Sequence, residues 1–342
     1  MDAIVGRFGR AAPACANVAT AVVLYAAFSG FLYYPYAGAL TGFKWLYAVS
    51  PVAAATGCFV LSRRWTASVL ASLFAGAIYG FGPFMLSLSA YHPLAGVPAA
   101  AMPWLCCPGV FYRAGMRKTL RDRLIPVALT AVPFAGTGLF FVFCSDKSFY
   151  PLPVSLHMGA EHLAYLPFPL ALPPTAVAVG LYHVPFVAFI MGLAMYVMVH
   201  RIGVLVAVLM GLALALSRPV LGISPMIWEA IPMLYAAILV GLGVQGMAWT
   251  GKPDTTWLGV CAGVSVAAAV IAWLLRTQAG LYDVYSHAAA MYVIAAGMAA
   301  ILWAVARAEL RWRALRWVVL CGALGADIIL GARLLVESIS RG

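Results

Sequence analysis

The feature that most constrains this chain is a succession of apolar stretches, each near the length a lipid bilayer imposes. A helix crossing the hydrocarbon core needs about 20 mostly apolar residues. Stretches of that kind occur near 14–36, 44–62, 67–90, 92–112, 124–144, 174–199, 202–221, 227–249, 257–275, 284–306 and 314–336. The predicted fold is therefore all-α: a polytopic integral membrane bundle of about eleven transmembrane helices, forming a single transmembrane domain over 1–342. Its first partner is the lipid bilayer. Composition agrees, since 65% of residues are hydrophobic and 9% charged, against roughly 45–50% and about 25% in soluble domains. A soluble globular domain and a disordered tail are excluded. The net charge of +11 does not indicate a nucleic-acid partner, because the basic residues are spread over the loops between apolar runs and form no single patch.

Arg7 and Arg10 precede the first run. That run exceeds the roughly 7–15 apolar residues of a signal-peptide core, so it reads as a retained helix. Orientation follows from the excess of Lys and Arg on the cytoplasmic side. With the N-terminus inside, 15 of the 21 basic residues fall inside, and the two densest loops, 113–123 and 307–313, agree with each other. An odd number of spans places the C-terminus outside. These features predict a multi-pass protein of the cell membrane, of the bacterial inner-membrane type. Seven cysteines are present. In this topology only Cys144 reaches the outer surface, so no disulfide framework is expected.

Two segments stand apart. The run at 92–112 carries Pro93, Pro98, Pro103 and Pro108. Proline removes a backbone donor and kinks a helix, so this segment reads as either a kinked span or a re-entrant hairpin. The longest non-spanning segment, 145–173, is a periplasmic loop rich in proline and aromatic residues, suited to lie on the membrane surface or fold back over the bundle.

The chemistry-bearing residues are sorted to one side. Five of the six histidines, His92, His157, His162, His183 and His287, fall on the outer side, with Asp146, Glu161, Glu229, Asp283 and Glu337. Such gathering suggests an outward-facing site, and ionisable groups at membrane depth are functional hypotheses by default. His157, His162, His183 and His287 are the candidate metal ligands. Imidazole with carboxylate suits zinc, and Met158 beside His157 would suit copper. Glu161, Asp283 and Glu229 are the candidate acid–base groups. Asp283 and His287 are four apart, so a helix places them on one face as an orienter and base. Asp283 equally favours a helix N-terminus. Arg218 and Glu229 flank an outer hairpin and can pair across it. Asp327 is the most deeply embedded acid. Arg333, about 240° further round the helix, is not on its face, so its partner belongs on another span. Arg218 and Asp327 are the candidate substrate-binding residues.

No phosphate-binding G-x-x-x-x-G-K-[ST] loop occurs, and no lysine lies mid-span. Three functional expectations remain. The first is a site, possible cofactor a divalent metal (zinc or copper), acting on a hydrophobic lipid-linked or quinone-like molecule. The second is a non-catalytic subunit of a larger membrane complex, in which small-residue faces such as 259–270 and 288–300 pack against partner subunits. The third is a permease for an ion or small solute, its pathway formed by Asp327, Glu229 and the proline-broken span.

Overall fold

In the computed structural model the apolar runs become helices. The structure describes residues 15–112, 120–144, 166–168, 177–199, 202–217, 224–277, 282–309 and 312–341. All regular structure among them is helical. In chain order the α-helices are α1 (Cys15–Tyr33), α2 (Leu46–Ser62), α3 (Val69–Gly80), α4 (Pro83–Tyr91), α5 (Gly96–Phe111), α6 (Leu120–Cys144), α7 (His183–Val199), α8 (Ile202–Ala215), α9 (Ala230–Trp249), α10 (Thr255–Leu275), α11 (Tyr282–Arg307) and α12 (Arg313–Arg341). Seven segments are long and apolar enough to cross a membrane: Cys15–Gly38, Gly42–Ser62, Val69–Ser89, Pro225–Trp249, Lys252–Leu275, Tyr282–Arg307 and Arg313–Glu337. The other four predicted spans correspond to shorter apolar helices, Gly96–Phe111, Leu124–Thr137, His183–Tyr196 and Leu205–Ala215.

Three departures from the run pattern have local causes. The run at 67–90 is split at Phe81–Gly82, because Pro83 starts a new helix at its first position, where the missing N–H costs nothing. Within the run at 174–199 the helix α7 begins at His183, and the described residues 177–182 before it are buried and carry no regular structure. Their backbone groups are met locally, as where Ala178 N–H donates to Ser87 Oγ at 2.8 Å. The proline-rich run forms one continuous helix, α5, with Pro103 and Pro108 inside it. It is not a hairpin. At 16 residues it extends about 24 Å, short of the roughly 30 Å hydrocarbon core.

α9 is the axis of the bundle. Nearly every residue from Ala230 to Ala248 is buried, and α7, α3, α8 and α12 pack around it. α7 and α9 approach so closely that a Cβ on Gly243 would collide with the carbonyl of Ala188, and one on Gly192 with the carbonyl of Leu239. Such contact between backbones is what small residues permit in membrane helices. Lower on α9, the buried Gln245 ties two elements together. Its Oε1 accepts from Ala67 N–H at 2.7 Å and Ser68 N–H at 3.0 Å, donors that the start of α3 leaves without intrahelical partners. Gln245→Leu is expected to lower stability by about 2 kcal/mol, because two N–H groups at the start of α3 lose their acceptor. Chemical unfolding in detergent measures it, and an unchanged midpoint would refute the role.

α10 and α11 form a hairpin. At its tip Arg276 stacks over Trp273, 3.1 Å from the ring centroid, and at its base Arg307 lies 5.3 Å from the Trp303 ring. Both are arrangements of membrane–water interfaces. Beyond the base, Lys252 Nζ donates to Glu309 Oε1 at 2.9 Å. That hydrogen bond, with the lysine's charge, holds the exposed Glu309 carboxyl below its ordinary range. Arg316 closes the same end of α9, donating from Nη1 to the carbonyl of Thr250 at 2.6 Å.

Candidate functional site

The first turn of α7 begins inside the protein. A helix start leaves N–H groups without intrahelical acceptors, and burial makes each unmet donor costly. Pro185, third in α7, has no N–H to satisfy, and Phe186 N–H already bonds the carbonyl of Tyr182 at 2.8 Å. Val184 N–H is met from another helix. Asp327, midway along α12, accepts from it through Oδ2 at 2.6 Å. The other oxygen, Oδ1, lies 3.0 Å from Nδ1 of His183. Asp327 and His183 are 0% and 1% exposed, so the carboxylate's partners are protein groups. A helix N-terminus favours negative charge, and the imidazole supplies a second stabilising donor.

A glycine makes this junction possible. Gly331 follows Asp327 by one turn of α12, and a Cβ there would strike the ring of Tyr182. The fully buried Tyr182 ring therefore rests on bare backbone, and its hydroxyl donates to the carbonyl of Phe81 at 2.8 Å. That carbonyl lies at the break between α3 and α4, so the break serves the junction.

His287, in the second turn of α11, completes the group. Its ring centroid is 5.7 Å from that of His183, at an interplanar angle of 72°. Its Nε2 is buried and has no hydrogen-bond partner. His183, His287 and Asp327 each offer a ligand atom, and these atoms lie within 4.8 Å of one another. Tyr292, further along α11, walls the site with its ring, 5.2 Å from His183 at 87°. Its hydroxyl is engaged elsewhere, donating to the carbonyl of Pro167 at 2.5 Å. Phe168 packs its ring edgewise on Tyr285 and Tyr292, and Leu181 N–H bonds the carbonyl of Leu166 at 3.2 Å. Residues 166–168 thus close one side.

The site lies within the apolar slab. Asp327 is two residues past the middle of Arg313–Glu337, about 3 Å along the axis. His287 is five residues from the start of α11 at Tyr282, about 8 Å. Two imidazoles and a carboxylate are a donor set that suits zinc, copper or non-haem iron, and the same three groups can hold and pass a proton.

Of the residues expected from sequence, the structure brings together His183, His287 and Asp327, and the partner required for Asp327 on another helix is His183. Asp283 is exposed in the first turn of α11 and is not in the group. Glu229 is buried just before α9, with Oε2 unpartnered, and is also not a member. His92 turns its Nδ1 to Leu94 N–H at 3.2 Å. His157, Glu161, His162 and Arg218 lie outside the described residues. Sequence reasoning did not single out Tyr292, Gly331 or Gln245. For Gln245 a signal existed: it is the sole amide in the apolar run of α9. Comparison with protein-family models, curated proteins and solved structures finds no match to this chain.

Proposed function

We propose that this protein is a multi-pass protein of the cell membrane, of the bacterial inner-membrane type. In this reading it is one domain of eleven crossings with its N-terminus inside. Its outward-facing site binds a divalent metal, zinc or copper, at the group formed by His183, His287 and Asp327, and acts on a hydrophobic molecule of lipid-linked or quinone-like character. One observation carries the reading: three helices, α7, α11 and α12, each deliver a side chain able to ligate a metal to one point. A chain with only six histidines and ten acidic residues has few such groups to spend there. A bare polar contact needs two partners, whereas here a third, His287, faces the pair with a buried nitrogen unmet. Asp283 and Glu229 stand as acid–base groups of the wider site.

Metal analysis of the protein purified in mild detergent tests this. The expected result is about one zinc or copper per chain, lost with His183→Ala or His287→Ala in folded protein. Wild-type protein that stays metal-free after loading with either ion would refute the metal site. A second reading has its own support, since the His183–Asp327 contact also suits a proton step in a permease. Metal-free protein with proton-coupled uptake that falls on Asp327→Asn would favour it.

A further inference from the structure

We infer that Asp327 is a positioning residue and not a metal ligand: it holds His183 through Nδ1 so that the metal is taken by the Nε2 atoms of His183 and His287. This rests on the metal reading above and deepens it.

Both oxygens of Asp327 are engaged, one by His183 Nδ1 and one by Val184 N–H. A carboxylate facing an imidazole nitrogen requires a proton on that nitrogen, which leaves the lone pair on Nε2. The Val184 N–H, fixed in the first turn of α7, points the carboxylate and prevents it from swinging to a metal without stranding a buried donor. On His287, Nε2 is a buried atom without a partner. Two imidazoles sharing a metal at about 2.0–2.1 Å from each nitrogen hold their ring centroids roughly 5–6 Å apart, and the observed separation is 5.7 Å. Tyr292 is not a competing ligand, because its hydroxyl is committed to Pro167. The result is a carboxylate–histidine–metal arrangement with two nitrogen ligands and the remaining positions open. An open position is what a catalytic site keeps for its substrate. A hydrophobic molecule bearing one oxygen donor, a quinone carbonyl or a phosphate oxygen, is the class that would fill it.

The test loads wild-type protein, Asp327→Asn, Asp327→Glu and His287→Ala with Cu(II). Affinity is measured by competition, and coordinated imidazoles are counted by pulsed electron paramagnetic resonance. Wild type is expected to show two imidazoles. Folded Asp327→Asn is expected to keep both, with affinity reduced about 10–100-fold, as for loss of an outer-shell partner. His287→Ala is expected to lose the two-imidazole spectrum. If Asp327→Asn does not fold, Asp327→Glu carries the test, with the same two-imidazole spectrum expected. A wild type with fewer than two imidazoles would overturn the inference. So would a folded Asp327 variant whose parallel hyperfine coupling shifts as for loss of an anionic ligand. In both cases the metal site stands. A wild type that binds no Cu(II) or Zn(II) would overturn the metal reading itself, and this inference with it.

Discussion

Asp327→Ala is expected to destabilise the folded protein by about 3–5 kcal/mol, the range for removing one member of a buried pair. The magnitude follows from what remains. His183 is buried and would keep Nδ1 facing an empty space. Val184 N–H would lose the acceptor that caps α7. Apolar surroundings offer no water to replace either. Helix α12 would also lose its polar link to α7, leaving apolar packing and the Tyr182–Gly331 contact to hold the two together. Unfolding in detergent, followed by circular dichroism against denaturant, measures the change. Asp327→Asn is expected to lose less, because the amide oxygen still accepts from one of the two groups that face it. A loss for Asp327→Ala below about 1 kcal/mol, the worth of an ordinary exposed polar contact, would show that the pair contributes nothing special.

The general class was legible because the signal is long and redundant. Each apolar run locates a helix, and a misjudged end by a few residues does not change the class. What hydropathy does not distinguish is an apolar helix from a buried apolar segment without periodicity. Residues 177–182 are apolar and buried yet not helical, and their backbone groups find Ser87 and Leu166. The break at Phe81–Gly82 was similarly hidden, although Pro83 marked it. The site was half legible for a related reason. Asp327 and His183 attracted attention as rare ionisable groups in apolar runs, and spacing along α12 correctly removed Arg333 as a partner. Yet the two lie 144 residues apart, and which helix faces meet is a property of packing that one sequence does not print. The i, i+4 spacing of Asp283 and His287 places them on one face of α11: Asp283 sits at the exposed helix start, while His287, one turn deeper, faces His183.

Gly243→Ala is expected to lower stability by about 3 kcal/mol, at the upper end of overpacking costs, although alanine is the better helix former. The added methyl would meet the carbonyl of Ala188 in the facing helix. A flexible side chain is displaced cheaply, but a carbonyl moves only with its helix. α7 and α9 must then separate, and α7 carries His183 at its start. The same substitution should therefore weaken metal binding from a distance, with no ligand altered. Gly263→Ala on α10 is the matched control. Its Cβ would enter open space, and it is expected to gain about 0.5–1 kcal/mol from reduced freedom of the unfolded chain. Both variants remove one glycine from an apolar helix, so propensity cancels between them and the remaining difference reports the α7–α9 contact. Equal unfolding midpoints would mean that these helices do not touch through Gly243. The support for α7 that holds His183 opposite His287 would then have to come from Asp327 and Tyr182 alone.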